Sequence, residues 1–367
     1  MMNLVSGLQY VLFYYNSLLL ITVIFCFAFI AKKDIEGFNP GVTSFIGYIL
    51  FVLLVFYMGF RPDSYIFGDM STYAHSFELA KSGWTSKLTG RDILFDSLIT
   101  LCARTTTVEG FFFIVSLIYL IPCLLISRKF FKEYWFIGFL MLWTSMSFWS
   151  YGTNGLRNGM ATSIFLMAFV FDSRLLRIGM MIAAISMHKS LILPTGAYIM
   201  TLFFSNTSLL IRLWLLAIPL SFIAGGVFES IFSSVGFGDI EERMGAYTGG
   251  GLLDMEYNSG FRVDFLLYSA TAIFAGWYYT EKLKYKDTMY QTLYNMYLVT
   301  NTFWVLVIRA PFSNRFAYLS WFLMGFVIIY PLLKHKLVKN QLAKIGGIIL
   351  ANYAFTYILL VVLRKGL

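Results

Sequence analysis

Residues 11–31 read VLFYYNSLLLITVIFCFAFIA and are followed directly by Lys32 and Lys33. The hydrocarbon core of a bilayer is about 30 Å thick, and a helix needs about 20 consecutive apolar residues to cross it. This run has that length, exceeds the apolar core of a signal peptide, and has no basic residue before it. We therefore expect a retained membrane helix whose N-terminus lies outside and whose lysines lie in the cytoplasm.

Similar apolar runs recur along the whole chain. Hydrophobic residues make up 59% of the 367 residues and charged residues only 13%, which excludes an ordinary soluble domain. We predict an all-α, polytopic integral membrane protein with about twelve transmembrane helices in a single domain, 1–367. The predicted spans are 11–31, 42–60, 110–127, 134–150, 156–172, 175–187, 189–205, 209–228, 262–280, 290–308, 314–333 and 345–363.

The chain has a net charge of +9, and the positions of its cations along the chain explain this excess. Most cations cluster in short segments between apolar runs, so the positive-inside rule explains them and a nucleic-acid partner is not expected. The bilayer itself is the expected partner. Alternation from the first span places two longer segments outside, 61–109 and 229–261, and we expect the chemistry on that face.

Four cations stand at predicted span ends on the outer side. Arg157 begins a run, His188 ends a run too short to cross a bilayer, and Arg309 and Arg315 flank a tight turn. Guanidinium groups bind phosphate oxygens through paired hydrogen bonds, so a cavity shared by these cations would suit a phosphate or pyrophosphate. Simple snorkelling of the arginines to the interface, or a hydrogen-bonded core role for His188, remains the alternative.

Acidic and aromatic residues of the outer segments have two interpretations as well. A carboxylate or histidine is the usual base in glycosyl or acyl transfer, which makes Asp69, Asp239 and Glu241 candidates. Asp69 could instead cap a turn, and the other two could belong to a solvated loop. Outer tyrosines such as Tyr247 could stack on sugars or form the interfacial aromatic belt.

Metal and cofactor chemistry is not expected. The three histidines and three cysteines are scattered, without the spacing of a zinc site, and the chain lacks nucleotide-binding and hydrolase motifs. We predict no metal site and no cofactor.

An ordered set of short motifs gives a more specific indication. They are Gly68-Asp69 followed by Tyr73, Gly90-Arg91-Asp92-Ile93-Leu94-Phe95, Gly155-Leu156-Arg157-Asn158-Gly159-Met160-Ala161, Met187-His188-Lys189-Ser190-Leu191-Ile192, Asn314-Arg315-Phe316-Ala317-Tyr318, and Glu242-Arg243 with Tyr247. This set, spread in order from about residue 10 to 330, resembles the EpsG family of Wzy-type polysaccharide polymerases.

The resemblance implies a metal-independent membrane glycosyltransferase of the bacterial inner membrane, with its active site facing the periplasm or exterior. It would transfer a growing O-antigen, capsule or exopolysaccharide from undecaprenyl pyrophosphate to the non-reducing end of a new lipid-linked repeat unit. A flippase and a chain-length regulator of the same pathway would be its partners. The implied catalytic residues are His188, Arg157, Arg315 and Asp69, and the implied substrate-binding residues are Arg309, Tyr73, Asn154, Asn314, Arg243, Tyr247, Asp239 and Glu241.

Within this reading, the arginines would hold the pyrophosphate, and His188 is preferred to Asp69 as the base because it can titrate near neutrality. Four alternatives remain at this point: a flippase or transporter of lipid-linked oligosaccharide, an O-antigen ligase, an O-acyltransferase, and a purely structural membrane component. A transporter would place its polar residues at mid-membrane, whereas here they gather at one face.

Overall fold

A computed structural model describes residues 2–36, 38–83, 92–232, 260–310 and 313–363. All regular structure in these segments is helical, which confirms the all-α prediction. Four predicted site residues lie outside the described residues: Asp239, Glu241, Arg243 and Tyr247.

The chain divides into two compact units, residues 1–191 with 329–367 and residues 192–328. In chain order the helices are α1 (Met2–Lys32), α2 (Pro40–Gly59), α3 (Met70–Lys81), α4 (Ile93–Thr105), α5 (Val108–Phe131), α6 (Trp135–Trp143), α7 (Met146–Thr153), α8 (Leu156–Met167), α9 (Arg174–Met187), α10 (Ile192–Phe203), α11 (Thr207–Phe232), α12 (Val263–Trp277), α13 (Thr288–Leu306), α14 (Asn314–Lys334) and α15 (Gln341–Tyr357). The prediction of one domain stays a prediction.

Six helical stretches of the described chain are long and apolar enough to cross a membrane, which agrees with a membrane protein. They are Gly7–Lys32, Pro40–Gly59, Val108–Trp143, Thr207–Phe228, Asn314–Lys334 and Gln341–Val362. Each of the other predicted runs also lies largely in helices, but the count of about twelve spans is not confirmed. The reason is length: α8, α9 and α10 have 12, 14 and 12 residues, and at about 1.5 Å per residue none reaches across the hydrocarbon core.

Helix α6 lies in the core of the first unit. All nine of its residues are buried, as expected for a helix that is apolar on every side. It is separated from α5 by a short 3₁₀ turn, Lys132–Tyr134, which begins with Lys132 at a positive φ of 51°. The long apolar stretch therefore bends instead of continuing as one rod.

Three helix ends of the first unit matter for function. Helix α4 begins after Asp92, α8 begins after the turn at Gly155, and α9 ends at Met187. His188 is extended, with φ −158°, and a 3₁₀ turn follows it, so the predicted break between two short helices is confirmed. The chemistry-bearing side chains described below project from these ends.

The second unit contains a buried polar network centred on Asn301 of α13. Its Oδ1 accepts from Trp214 Nε1 of α11 at 2.7 Å, and its Nδ2 donates to Ser269 Oγ of α12 and Ser320 Oγ of α14 at 3.1 and 2.9 Å. Buried polar groups in an apolar surrounding are costly unless they are hydrogen-bonded. The network therefore ties four helices of this unit together.

Candidate active site

The side chain of Asp92 is the centre of the site in the first unit. It is only 5% exposed, and three donors converge on its carboxylate. Arg157 Nη1 donates to Oδ2 at 2.7 Å, His188 Nδ1 lies 3.0 Å from the same oxygen, and the backbone N–H of Lys189 donates to Oδ1 at 3.2 Å. A buried carboxylate is thereby paired with a cation and a histidine.

The local fold explains why Asp92 reaches these partners. It occupies the N-cap of α4, where an aspartate ordinarily accepts a hydrogen bond from the first turn of its own helix. Here the side chain makes no capping bond, so both oxygens serve the neighbouring helix ends. A second tie lies beside the first, because Ser190 Oγ donates to Asn158 Oδ1 at 2.7 Å.

The electrostatics of the cluster decide which atom can accept a proton. Burial raises the pKa of Asp92, but the hydrogen bond and charge of His188, the charge of Arg157 and the Lys189 amide outweigh it and hold the pKa below 3.8. The carboxylate is therefore ionised at neutral pH and can only accept, so His188 Nδ1 carries the proton. In the neutral ring the lone pair is then on Nε2, and the side chain retains 14% exposure.

Arg157 and His188, predicted from separate motifs, are thus brought together by the structure. Arg157 is 27% exposed, and its guanidinium carbon lies 5.8 Å from the centre of the Phe95 ring. One of its nitrogens is held by Asp92, and the Phe95 ring lies beside the group. The predicted direct roles of both residues toward substrate stay predictions.

Asp69 and Asn154 also meet. The backbone N–H of Asp69 donates to Asn154 Oδ1 at 3.0 Å, in the turn that precedes α8. Gly68 has φ 61°, and a Cβ there would lie 2.3 Å from the same oxygen, so the close approach requires glycine. The Asp69 side chain makes no capping bond to α3, and its predicted role stays a prediction. Tyr73 is buried, with its ring 5.5 Å from that of Phe95.

Arg309, Asn314 and Arg315 belong to the second unit. Arg309 is exposed, and its Cδ lies 4.0 Å from the place that a Cβ on Gly225 would take. Asn314 is the first residue of α14 and Arg315 the second, both half-buried. Their predicted roles in pyrophosphate and substrate binding stay predictions.

Sequence reasoning missed the role of Asp92. It belongs to the motif Gly90-Arg91-Asp92-Ile93-Leu94-Phe95, but the motif predicted no chemistry for it. An acid before a helix ordinarily indicates an N-cap, so the pattern carried no sign of a tertiary partner. One signal was available in the sequence. Gly90-Arg91-Asp92 precedes an apolar helix and lies in the outer segment 61–109, on the face where we expect the chemistry.

Potential metal ligands do not gather in the described part of the chain. No group of three or more His, Cys, Asp or Glu side chains there is arranged to hold an ion. The three cysteines are buried free thiols, Cys26, Cys102 and Cys123.

Acid should weaken the fold through Asp92. Because the pKa of Asp92 is lower in the folded chain than its ordinary 3.8, the unfolded chain binds more protons between the two values. Its stabilisation is therefore complete above about pH 4 and is lost as the pH falls through the folded-state pKa. We expect the difference in thermal unfolding midpoint between wild type and Asp92→Asn, measured in detergent, to shrink below that pH. A difference that stays constant down to pH 2 would contradict this assignment.

The comparisons with known proteins agree with the motif set. A family model described as the EpsG family matches residues 44–366, which is nearly the whole chain. Neither curated proteins nor solved structures give a significant match. The matched region includes Asp92, Arg157 and His188 together with the motifs of the second unit. The chain therefore belongs to the EpsG family of Wzy-type, polysaccharide polymerase-like membrane proteins.

Proposed function

We propose that this protein is a polysaccharide polymerase that transfers a growing glycan from undecaprenyl pyrophosphate to the non-reducing end of a new lipid-linked repeat unit. The observation that carries the proposal is the hydrogen bond between the buried Asp92 carboxylate and His188 Nδ1, 3.0 Å apart. It orients the ring and leaves Nε2 as a base, in a chain whose family is that of polymerase-like membrane proteins.

The proposed step is a substitution at the anomeric carbon of the donor sugar. The acceptor hydroxyl oxygen forms the new bond to that carbon, and the bond from the carbon to the pyrophosphate oxygen breaks. His188 Nε2 takes the hydroxyl proton, and Asp92 stabilises the imidazolium that results. Undecaprenyl pyrophosphate leaves with the electron pair, and arginine side chains stabilise its negative charge.

We assign the pyrophosphate to Arg157, and the contact with the sugars to Asp69 and Asn154. The lipid tails would remain in the bilayer during transfer. We further propose that the reaction takes place on the outer face of a bacterial cytoplasmic membrane. A flippase would supply the lipid-linked unit there, and a chain-length regulator would act on the same glycan.

The test is the length of the surface polysaccharide in cells. The gene is deleted, wild type is restored from a plasmid, and the polysaccharide is separated on a gel. We expect the deletion to leave single repeat units and no ladder of longer products, and complementation to restore the ladder. An unchanged ladder in the deletion would exclude a polymerase. Loss of every surface repeat, single units included, would favour a flippase or a ligase instead.

A further inference from the structure

Arg61, directly after α2 and Phe60, is a buried cation to which neither the motifs nor the proposed reaction assigns a role. It is 4% exposed. Its Nη1 donates to the backbone oxygen of Met58 at 2.6 Å, and its guanidinium carbon lies 4.8 Å from the centre of the Phe112 ring. Its Nε and Nη2 atoms are buried and have no hydrogen-bond partner among the described residues.

This arrangement is unfavourable for a residue that only supports the fold. A buried guanidinium ordinarily has its charge paired and its N–H groups satisfied. The nearest acid in sequence, Asp63, is exposed and accepts neither of these N–H groups. Burial lowers the pKa of Arg61 to about 10, so the side chain is still charged at neutral pH. A charge kept in such a place indicates a partner that the described residues do not supply.

The two N–H groups without a partner also have a defined geometry. Nε and Nη2 lie on the same edge of the planar guanidinium, and that edge is the one that binds two oxygens of a carboxylate or phosphate with parallel hydrogen bonds. The third nitrogen is already occupied by Met58, and the Phe112 ring holds the plane of the group. The edge thus has the two parallel donors that a tetrahedral or planar anion requires.

Aromatic contacts place Arg61 at the same end of the first unit as His188. Phe112 follows Phe111, whose ring centre lies 6.5 Å from that of Phe95, and Phe95 is the ring beside Arg157. The segment after Arg61 leads to Asp69, whose N–H is bonded to Asn154 in the turn before α8. Neighbouring aromatic residues at the start of α5 therefore connect the surroundings of Arg61 with those of Arg157.

We infer that Arg61 binds one phosphate of the lipid-linked pyrophosphate through its Nε and Nη2 edge. This inference rests on the proposed function and adds a residue to it. Residues 61–64, which lie between α2 and the 3₁₀ turn Tyr65–Phe67 and form no helix of their own, must shift to admit the ligand. Because one Arg157 nitrogen is held by Asp92, Arg157 has fewer N–H groups to offer a phosphate, and Arg61 would add a second guanidinium from the first unit.

The experiment measures binding and stability with the purified full-length chain in detergent. The probes are undecaprenyl pyrophosphate, undecaprenyl phosphate, the uncharged undecaprenol, and inorganic pyrophosphate. The variants are Arg61→Met, Arg61→Lys and, as a matched control, Arg104→Gln, which removes an exposed cation in the last turn of α4. We expect wild type and the control to prefer undecaprenyl pyrophosphate to undecaprenol.

Both Arg61 variants should lose about 10-fold or more of their affinity for undecaprenyl pyrophosphate, because lysine keeps the charge but not the bidentate edge. Their affinity for undecaprenol should not change. Competition by inorganic pyrophosphate should be present in wild type and weak in Arg61→Met. If undecaprenyl phosphate shows the same loss as undecaprenyl pyrophosphate, one phosphate is sufficient for the contact and the assignment still holds.

Stability without ligand gives an independent readout. Arg61→Met replaces a buried charge that lacks a full set of partners by an apolar side chain that can pack on Phe112, so we expect an equal or higher unfolding midpoint. A lower midpoint would make Arg61 a structural residue and overturn the inference. Unchanged affinity in Arg61→Met, with wild type binding the probe, overturns the Arg61 assignment alone. No preference of wild type for the pyrophosphate would remove this assignment and count against the proposed function as well.

Discussion

Asp92→Asn should remove the long polysaccharide from cells and leave single repeat units. Asparagine keeps the shape of the side chain but not its charge, and its amide must now face the donor from Arg157 or from His188. The ring then loses the partner that fixes its proton on Nδ1. General base catalysis contributes about 100-fold or more to a transfer rate, so we expect a loss of that order, as for His188→Ala.

Asp92 acts through His188 in this scheme, and a double variant tests that relation. When two residues work as one unit, the second substitution costs little once the first is made. Asp92→Asn combined with His188→Ala should therefore lose no more polymer than His188→Ala alone, at equal abundance in the membrane. A clear additional loss would show that Asp92 serves chiefly the fold or Arg157.

Asp172 provides the matched control for this substitution. It also pairs with a cation, Lys129, at 2.8 Å, but its side chain is 88% exposed. Exposed ion pairs contribute little because water screens them. Asp172→Asn should leave the polysaccharide ladder unchanged, and an equal loss in both variants would point to an unspecific effect of the substitution.

Gly159→Ala should sharply reduce the amount of folded protein. A Cβ at this position in α8 would lie 2.1 Å from the backbone oxygen of Tyr151 and 2.8 Å from its carbonyl carbon. These are backbone atoms of α7 and cannot rotate away, so the two helices must separate. Overpacking of this kind costs about 1–3 kcal/mol, and the shift would also move Arg157, two residues earlier.

The thermal unfolding midpoint in detergent and the abundance in the membrane measure this effect. Gly179→Ala is the control, because it also lies inside a helix, α9, and a Cβ there meets nothing within 4 Å. Removing a glycine from a helix interior without a clash stabilises by about 0.5–1 kcal/mol. Equal midpoints for the two variants would mean that α7 and α8 do not approach as closely as described.

The helical membrane fold follows from local sequence. A span requires about 20 apolar residues in succession, and this requirement can be checked within one window of the chain. The break at His188 can also be predicted from local sequence, since the apolar run before it is too short to cross a bilayer. The number of spans cannot be predicted from local sequence, because α8, α9 and α10 are helices whose length alone does not place them across a bilayer.

The motifs contained two members of the candidate active site, Arg157 and His188, because such cations at span ends are unusual in any membrane protein. Their common partner, Asp92, could not be identified from the sequence. Asp92 lies 65 residues from Arg157 and 96 from His188, and no spacing rule connects side chains over such intervals. The same holds for Arg61, which looks like any cation after a span until its surroundings are known.

The sequence by itself determined that this is a helical membrane protein and to which family it belongs. It also identified most of the charged residues proposed to contact substrate. Each of these results depends on composition, on one apolar window or on a short motif. Only the tertiary structure decided which charges meet. Whether a carboxylate caps its own helix or holds a distant histidine depends on the helix ends that pack beside it. Burial then sets the cost of every charge left without a partner.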